Sequence, residues 1–239
     1  MLNAKYVDGL ALKSSFECLL GKFQVEPRSG KRVLFDLVRA YSGGSRFYHN
    51  LGHVQEVLQK IEELRSLAGD FPAIQLAAWF HDAIYDPTAK DNEEKSARYA
   101  TEVLASLGLP EVTIDRVSQM IVATKYHQAA SEDIDSQILL DADLAILGEE
   151  NTEYRFYAVG IRREYSWLSD AEYCQRRIQF LHKILQRKRI YFTESLFAVL
   201  EQRARQNMRL EIEALCRGGE GYSPFVSRRE FEAFRKKSA

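Results

Sequence analysis

Three of the chain's five histidines fall in two short aromatic-flanked stretches, RFYHNLGH at 46–53 and WFHDAIYD at 79–86. His49 and His53 are four apart, and His81 is followed directly by Asp82. A third stretch, ILLDADLAILG at 138–148, sets Asp141 and Asp143 among the most apolar residues of the chain. A lone histidine on an apolar face is usually a hydrogen-bonded core residue. A carboxylate buried beside it is costly unless something compensates its charge, and a metal ion compensates imidazoles and carboxylates together. The set His53, His81, Asp82 and Asp143 offers nitrogen and oxygen without thiolate. It suits a divalent ion (Mn, Fe, Zn, Co, Ni or Mg) with positions left for water and substrate.

These side chains need helices to carry them. Leu51, Val54, Leu58, Ile61, Leu64 and Ala68 form a helical stripe. Asn50 suits its N-cap, placing His49 just before the first turn and His53 inside it. Pro72 opens a second helix in which Ile74, Ala77, Ala78 and His81 share one face. Asp141 and Asp143 lie about 200° apart on a helix, so they cannot serve one face. Leu139, Leu140, Ile146 and Leu147 bracket Asp143, which makes it the expected buried ligand. Asp141 is either an acceptor holding a ligand imidazole or the partner of a core arginine. Asp91 and Glu94 fit a capping box opening 92–107. Pro110 opens a helix to about Tyr126, and one over 134–147 stops at Gly148, read as a C′ glycine. Helical patterns also cover 12–23, 30–41, 151–165, 170–187 and 194–217. A single all-α domain is expected, with its core over about 30–217 and a basic tail at 225–239.

Composition narrows the function classes. Lys+Arg 33 against Asp+Glu 34 gives a net charge of -1, which disfavours nucleic acid and membrane surfaces as partners. The three cysteines form no CxxC pair, so neither a disulfide framework nor a thiolate zinc site is indicated. With no signal-peptide pattern and no long apolar run, a cytoplasmic location is expected. Self-association is left open.

The ordered residues resemble the HD superfamily of metal-dependent phosphohydrolases, with its isolated His, adjacent His-Asp pair and distant Asp on helices. YHNLGH is similar to the YHNxxH signature of the cyclic-nucleotide phosphodiesterase branch, and ADLAI resembles the segment bearing that branch's final metal aspartate. YHNxxH, WFHDAIYD, NEEKSA, LLDADLAILG and YRFYAVGIRREY together resemble a small bacterial family of HD hydrolases, over roughly 40–215. The resemblance implies an all-α core and divalent-metal catalysis on a phosphate ester, a nucleotide being one candidate. It also implies that His49 protonates the leaving oxygen, with Asp82 in the catalytic centre. There are departures: the phosphodiesterase branch has another histidine where this chain has Tyr85 and Asp86, and no counterpart of its large nucleotide-pocket domain is expected within these 239 residues. One tightly held ion is therefore expected, with a second, weaker site left open.

Phosphoryl charge calls for cations, for which Arg46, Lys125 and Arg163 (or its neighbour Arg162) are candidates. His127, ending the 110–126 helix, fits a ligand, a phosphate contact or a helix-end residue. Asn92 and Glu93 are candidates to line the cleft, while the run QRKRI at 186–190 reads as a solvated helix face. Two rival classes remain, a di-iron HD oxygenase and a non-catalytic nucleotide sensor. The oxygenase needs two further histidines, where only His127 is available.

Overall fold

A computed structural model describes residues 9–217. Among them are ten α-helices and two 3₁₀ segments, with no strand, so the expected all-α class is what the chain forms. The helices group into two compact units, which divide between Ala142 and Asp143. The basic tail expected at 225–239 lies outside the described residues.

The first unit contains α1 (Gly9–Gly21), α2 (Pro27–Tyr41), α3 (Leu51–Glu63), α4 (Phe71–Phe80), α5 (Asn92–Ser106), α6 (Glu111–Thr124) and nearly all of α7 (Ile134–Asp143). Helix α4 is its axis. Every residue from Leu76 to Phe80 is fully buried, as befits a helix that is apolar all round. It packs against α1, α3, α5 and α6. Its start is set by the Asp70 carboxylate, which accepts from the Ala73 amide at 3.1 Å, with Pro72 in the first turn. Asp135 of α7 accepts from the amides of Gly69 (2.7 Å) and Asp70 (3.0 Å) in the corner before α4. The long-range order of the unit therefore fixes α7 to the base of the helix that carries His81.

The capping box read at Asp91 and Glu94 does not form. Helix α5 starts after Asp91 as expected, but the Asp91 carboxylate makes no cap bond and pairs with Lys95 at 2.8 Å. Glu94 reaches Lys125. Both carboxylates have found ammonium partners, and these compete with the backbone amides of the first turn.

The second unit holds a 3₁₀ turn (Leu144–Gly148), α8 (Asn151–Glu164), α9 (Asp170–Leu185) and α10 (Glu194–Arg217). The 3₁₀ turn leaves carbonyls without helical partners, and side chains collect them. Tyr191 Oη donates to Leu144 O at 3.0 Å, and Arg203 Nε to Gly148 O at 2.6 Å. Asn207 Nδ2 donates to Leu147 O at 3.0 Å and to Glu149 O at 2.9 Å. The QRKR run lies past the end of α9, in the connection to α10, rather than on a helix face.

The left-handed backbone expected of Gly148 as a C′ residue does not form. Its glycine is required by close approach: an added Cβ would stand 2.5 Å from Leu200 Cβ and 2.8 Å from Leu200 O. A clash with backbone cannot be relieved by a rotamer change. Gly148→Ala should therefore destabilise the protein by about 1–3 kcal/mol or more, read from a lowered denaturation midpoint at unchanged m-value.

Candidate metal centre

Helices α3 and α4 pack together, and this contact brings His53 to His81. Asn50 caps α3 by accepting from Gly52 N at 2.8 Å, which sets the phase that turns His53 inward. His81 continues α4 by one residue, its amide bonded to Ala77 O at 2.9 Å. Both imidazoles are buried, at 3% and 1% exposure, and their Nε2 atoms are 3.1 Å apart. Two imidazole nitrogens held at about 2.1 Å by one ion would stand roughly 3.0–3.4 Å apart for angles between octahedral and tetrahedral. The observed separation falls in that range.

The tautomer of His81 sharpens the point. Its Nδ1 lies 2.9 Å from Ala78 O, a contact that only an N–H can make favourably. In the neutral ring the lone pair is then on Nε2. That atom faces Asp82 Oδ2 at 3.1 Å, and Oδ2 is in turn 3.7 Å from His53 Nε2. A lone pair opposed to a carboxylate oxygen in a dry site is unfavourable. Either a second proton on His81 or a cation between the groups removes the conflict. The backbone carbonyl behind a ligand imidazole is the usual partner that fixes such a ring for coordination. Burial opposes the charge on Asp82, but the imidazoles of His81, His49 and His53 outweigh it and hold the carboxyl well below its ordinary range.

The third element is the end of α7. One ligand atom each from His53, His81 and Asp143 lies within 4.8 Å of the others. Asp143, the last residue of α7, is thus the aspartate of that group. Its burial differs from the expectation: Asp143 is only partly buried, whereas Asp141 is completely so.

His49 is half-buried beside the cluster, its ring centroid 5.8 Å from that of His53 and 4.3 Å from that of Tyr85. Arg46, a candidate phosphate contact, has both terminal nitrogens on backbone. Nη1 donates to His49 O (3.0 Å) and Asp82 O (2.6 Å), and Nη2 to Ala83 O (3.0 Å). It fastens the segment bearing His49 to the turn bearing Asp82. Lys125 Nζ bonds Lys90 O at 2.8 Å and pairs with Glu94, which raises its pKa further. Arg162 reaches Asp170 at 2.6 Å and the carbonyls of Tyr165 and Leu168. Arg163 is half-exposed near the end of α8. His127 has φ 48°, a left-handed turn residue shortly after α6, and it is not among the three residues that converge. Its helix-end reading is the one the backbone supports.

Two residues that the sequence left in doubt or unnamed hold the loop after Asp82. Ser96 Oγ bonds both the amide and the carbonyl of Ile84, each at 3.1 Å. Asn92 does the same for Asp86, at 3.0 Å and 2.8 Å. Both clamps come from the first turns of α5, so the NEEKSA stretch acts on backbone. Glu93, between them, has its carboxyl raised by burial and by the nearby Asp82 charge.

No family model, curated protein or solved structure matches the chain. Among the described residues no helix is long and apolar enough to cross a membrane.

Proposed function

We propose that the chain is a divalent-metal-dependent phosphohydrolase acting on a phosphate ester, as its resemblance to the HD superfamily suggests. One observation carries the reading. His81 commits Nδ1 to Ala78 O while its Nε2 faces Asp82 Oδ2 and His53 Nε2, each at 3.1 Å, an arrangement that a cation would relieve as a second proton on His81 would. His53, His81 and Asp143, with Asp82 beside them, would hold that ion. When bound, a divalent ion supplies an acidified water and a Lewis acid for a phosphoryl oxygen.

The chain's own groups do the rest. Asp82 and Asp143 neutralise the ion's charge, and the Ala78 carbonyl keeps the His81 ring in one tautomer. Arg46 holds the His49 and Asp82 segments in register. His49, outside the converging ligand atoms but adjacent to them, delivers a proton to the departing oxygen. With the Arg46 nitrogens on backbone carbonyls and Lys125 paired with Glu94, a bound ion would supply counter-charge for phosphate.

Purified protein with Mn²⁺ should hydrolyse a member of a panel of generic and nucleotide phosphoesters. Binding of a nucleotide without turnover across the panel would instead favour a sensor. His49→Ala should retain its metal and lose about 10²–10⁴-fold in turnover of esters with poor leaving groups. An aryl phosphate needs little protonation of its leaving oxygen and should lose much less. Equal loss on both ester types would rule out the acid role, and loss of metal would make His49 a ligand.

A further inference from the structure

We infer that Tyr85 is a positioning residue for His49, its ring serving as a fixed wall that confines the imidazole to the orientation facing the cluster. The rings lie 4.3 Å apart at 33°, a tilted stack, while His49 meets Tyr48 and His53 edge-on at 77° and 80°. His49 precedes α3 and lacks helical confinement from its own turn.

Tyr85 is suited to act as a wall because its neighbours in the chain are both pinned. Ser96 bonds the amide and carbonyl of Ile84, and Asn92 the amide and carbonyl of Asp86. Arg46 completes the frame. Its guanidinium sits 5.0 Å from the Tyr41 ring and 5.4 Å from the Tyr85 ring, while its nitrogens hold His49 O and the carbonyls of Asp82 and Ala83. One cation thus ties together the backbones that carry the two stacked rings. A loop held by four bonds from α5 and two from Arg46 places an aromatic face opposite His49 more firmly than a surface loop would.

The inference rests on the reading of His49 as proton donor, and its test has one arm that does not need turnover. The variants are Tyr85→Leu, which removes the ring, and Tyr85→Phe, which keeps it. In the NMR spectrum of the protein, the His49 imidazole signals, assigned by their loss in His49→Ala, should show a ring-current shift. The part of that shift contributed by Tyr85 should be lost in Tyr85→Leu and persist in Tyr85→Phe. With Mn²⁺, Tyr85→Leu should lose about 3–10-fold in kcat on an alkyl phosphate, the scale of one aromatic contact. KM and metal content should hold, the loss on p-nitrophenyl phosphate should be small, and Tyr85→Phe should restore the rate to within about two-fold. Adding Tyr85→Leu to His49→Ala should cost nothing further. An unchanged His49 signal in Tyr85→Leu, or additive losses in the double variant, would overturn the inference. If neither ester is turned over by wild-type protein, the phosphohydrolase reading fails, and the NMR arm alone decides whether Tyr85 positions His49.

Discussion

His81→Ala should purify without a stoichiometric divalent ion and without hydrolytic activity. The residue is the most deeply buried of the group, on a ring locked by the Ala78 carbonyl, so its removal takes away a ligand already held in place. Metal content by mass spectrometry is the first readout. The second is thermal. A ligand that binds only the folded chain stabilises it by roughly 2.7 kcal/mol at 100 times its Kd, so Mn²⁺ should raise the wild-type midpoint and leave that of His81→Ala unmoved. Without metal the variant has a compensation, because removing the imidazole also removes the lone pair opposed to Asp82. The loss should therefore appear mainly as a missing response to metal, with the intrinsic fold less affected. A full complement of metal in His81→Ala would remove these residues from consideration as the site.

The largest effect on stability alone should come from the second unit. Arg177 and Glu211, 6% and 1% exposed as side chains, meet in a double bond pair: Nε to Oε1 at 2.9 Å and Nη2 to Oε2 at 3.1 Å. Tyr157 Oη accepts from Arg177 Nη1 at 3.1 Å, and Tyr154 Oη donates to Glu211. Burial lifts both phenols above their ordinary pKa, so Tyr154 remains a donor at any moderate pH. Arg177→Met would leave Glu211 buried and uncompensated, a loss of about 3–5 kcal/mol. For a chain of this size each kcal/mol corresponds to roughly 2–4 °C in midpoint, so the drop should be about 6–20 °C by calorimetry. Removing Glu211 as well, in Arg177→Met/Glu211→Leu, should recover much of it. The exposed Arg189–Glu194 pair, 33% and 82% exposed, should by contrast contribute less than about 1 kcal/mol when broken. Equal effects from the two pairs would show that burial does not govern their strength.

What the sequence conveyed about the site was mostly its helical phase. Asn50 before a clean apolar stripe set the start of α3, and with it the direction of His53. The spacing of Ile74, Ala77, Ala78 and His81 did the same for α4. Asp143 was chosen over Asp141 by its apolar neighbours, yet the burial of the two is the reverse of that argument. The reason is geometric. Ile146 and Leu147 bracket Asp143 only on a continuing α-helix, but α7 ends at Asp143 and a 3₁₀ turn follows, whose residues advance by about 120° in place of 100°. The α7 helix is also buried on all sides, so an apolar face no longer marks the inside.

The remaining surprises share a cause. Arg46, Ser96, Asn92 and Asn207 all bond backbone carbonyls or amides left over at turns. Such leftover groups have no residue type of their own, so a sequence does not announce them. A polar side chain destined for a backbone partner looks the same as one destined for substrate. The glycine at 148 is similar: its need arises from a neighbouring helix some fifty positions away, not from its own turn.

The most direct measurement is a titration of metal-stripped wild-type protein with Mn²⁺, counting free ion by electron paramagnetic resonance, with His53→Ala and Asp143→Ala alongside. The account predicts one tightly held ion per wild-type chain and none in either variant at the same concentrations. No tight binding by the wild type of Mn²⁺, Co²⁺ or Zn²⁺, or one full equivalent retained by both variants, would contradict it.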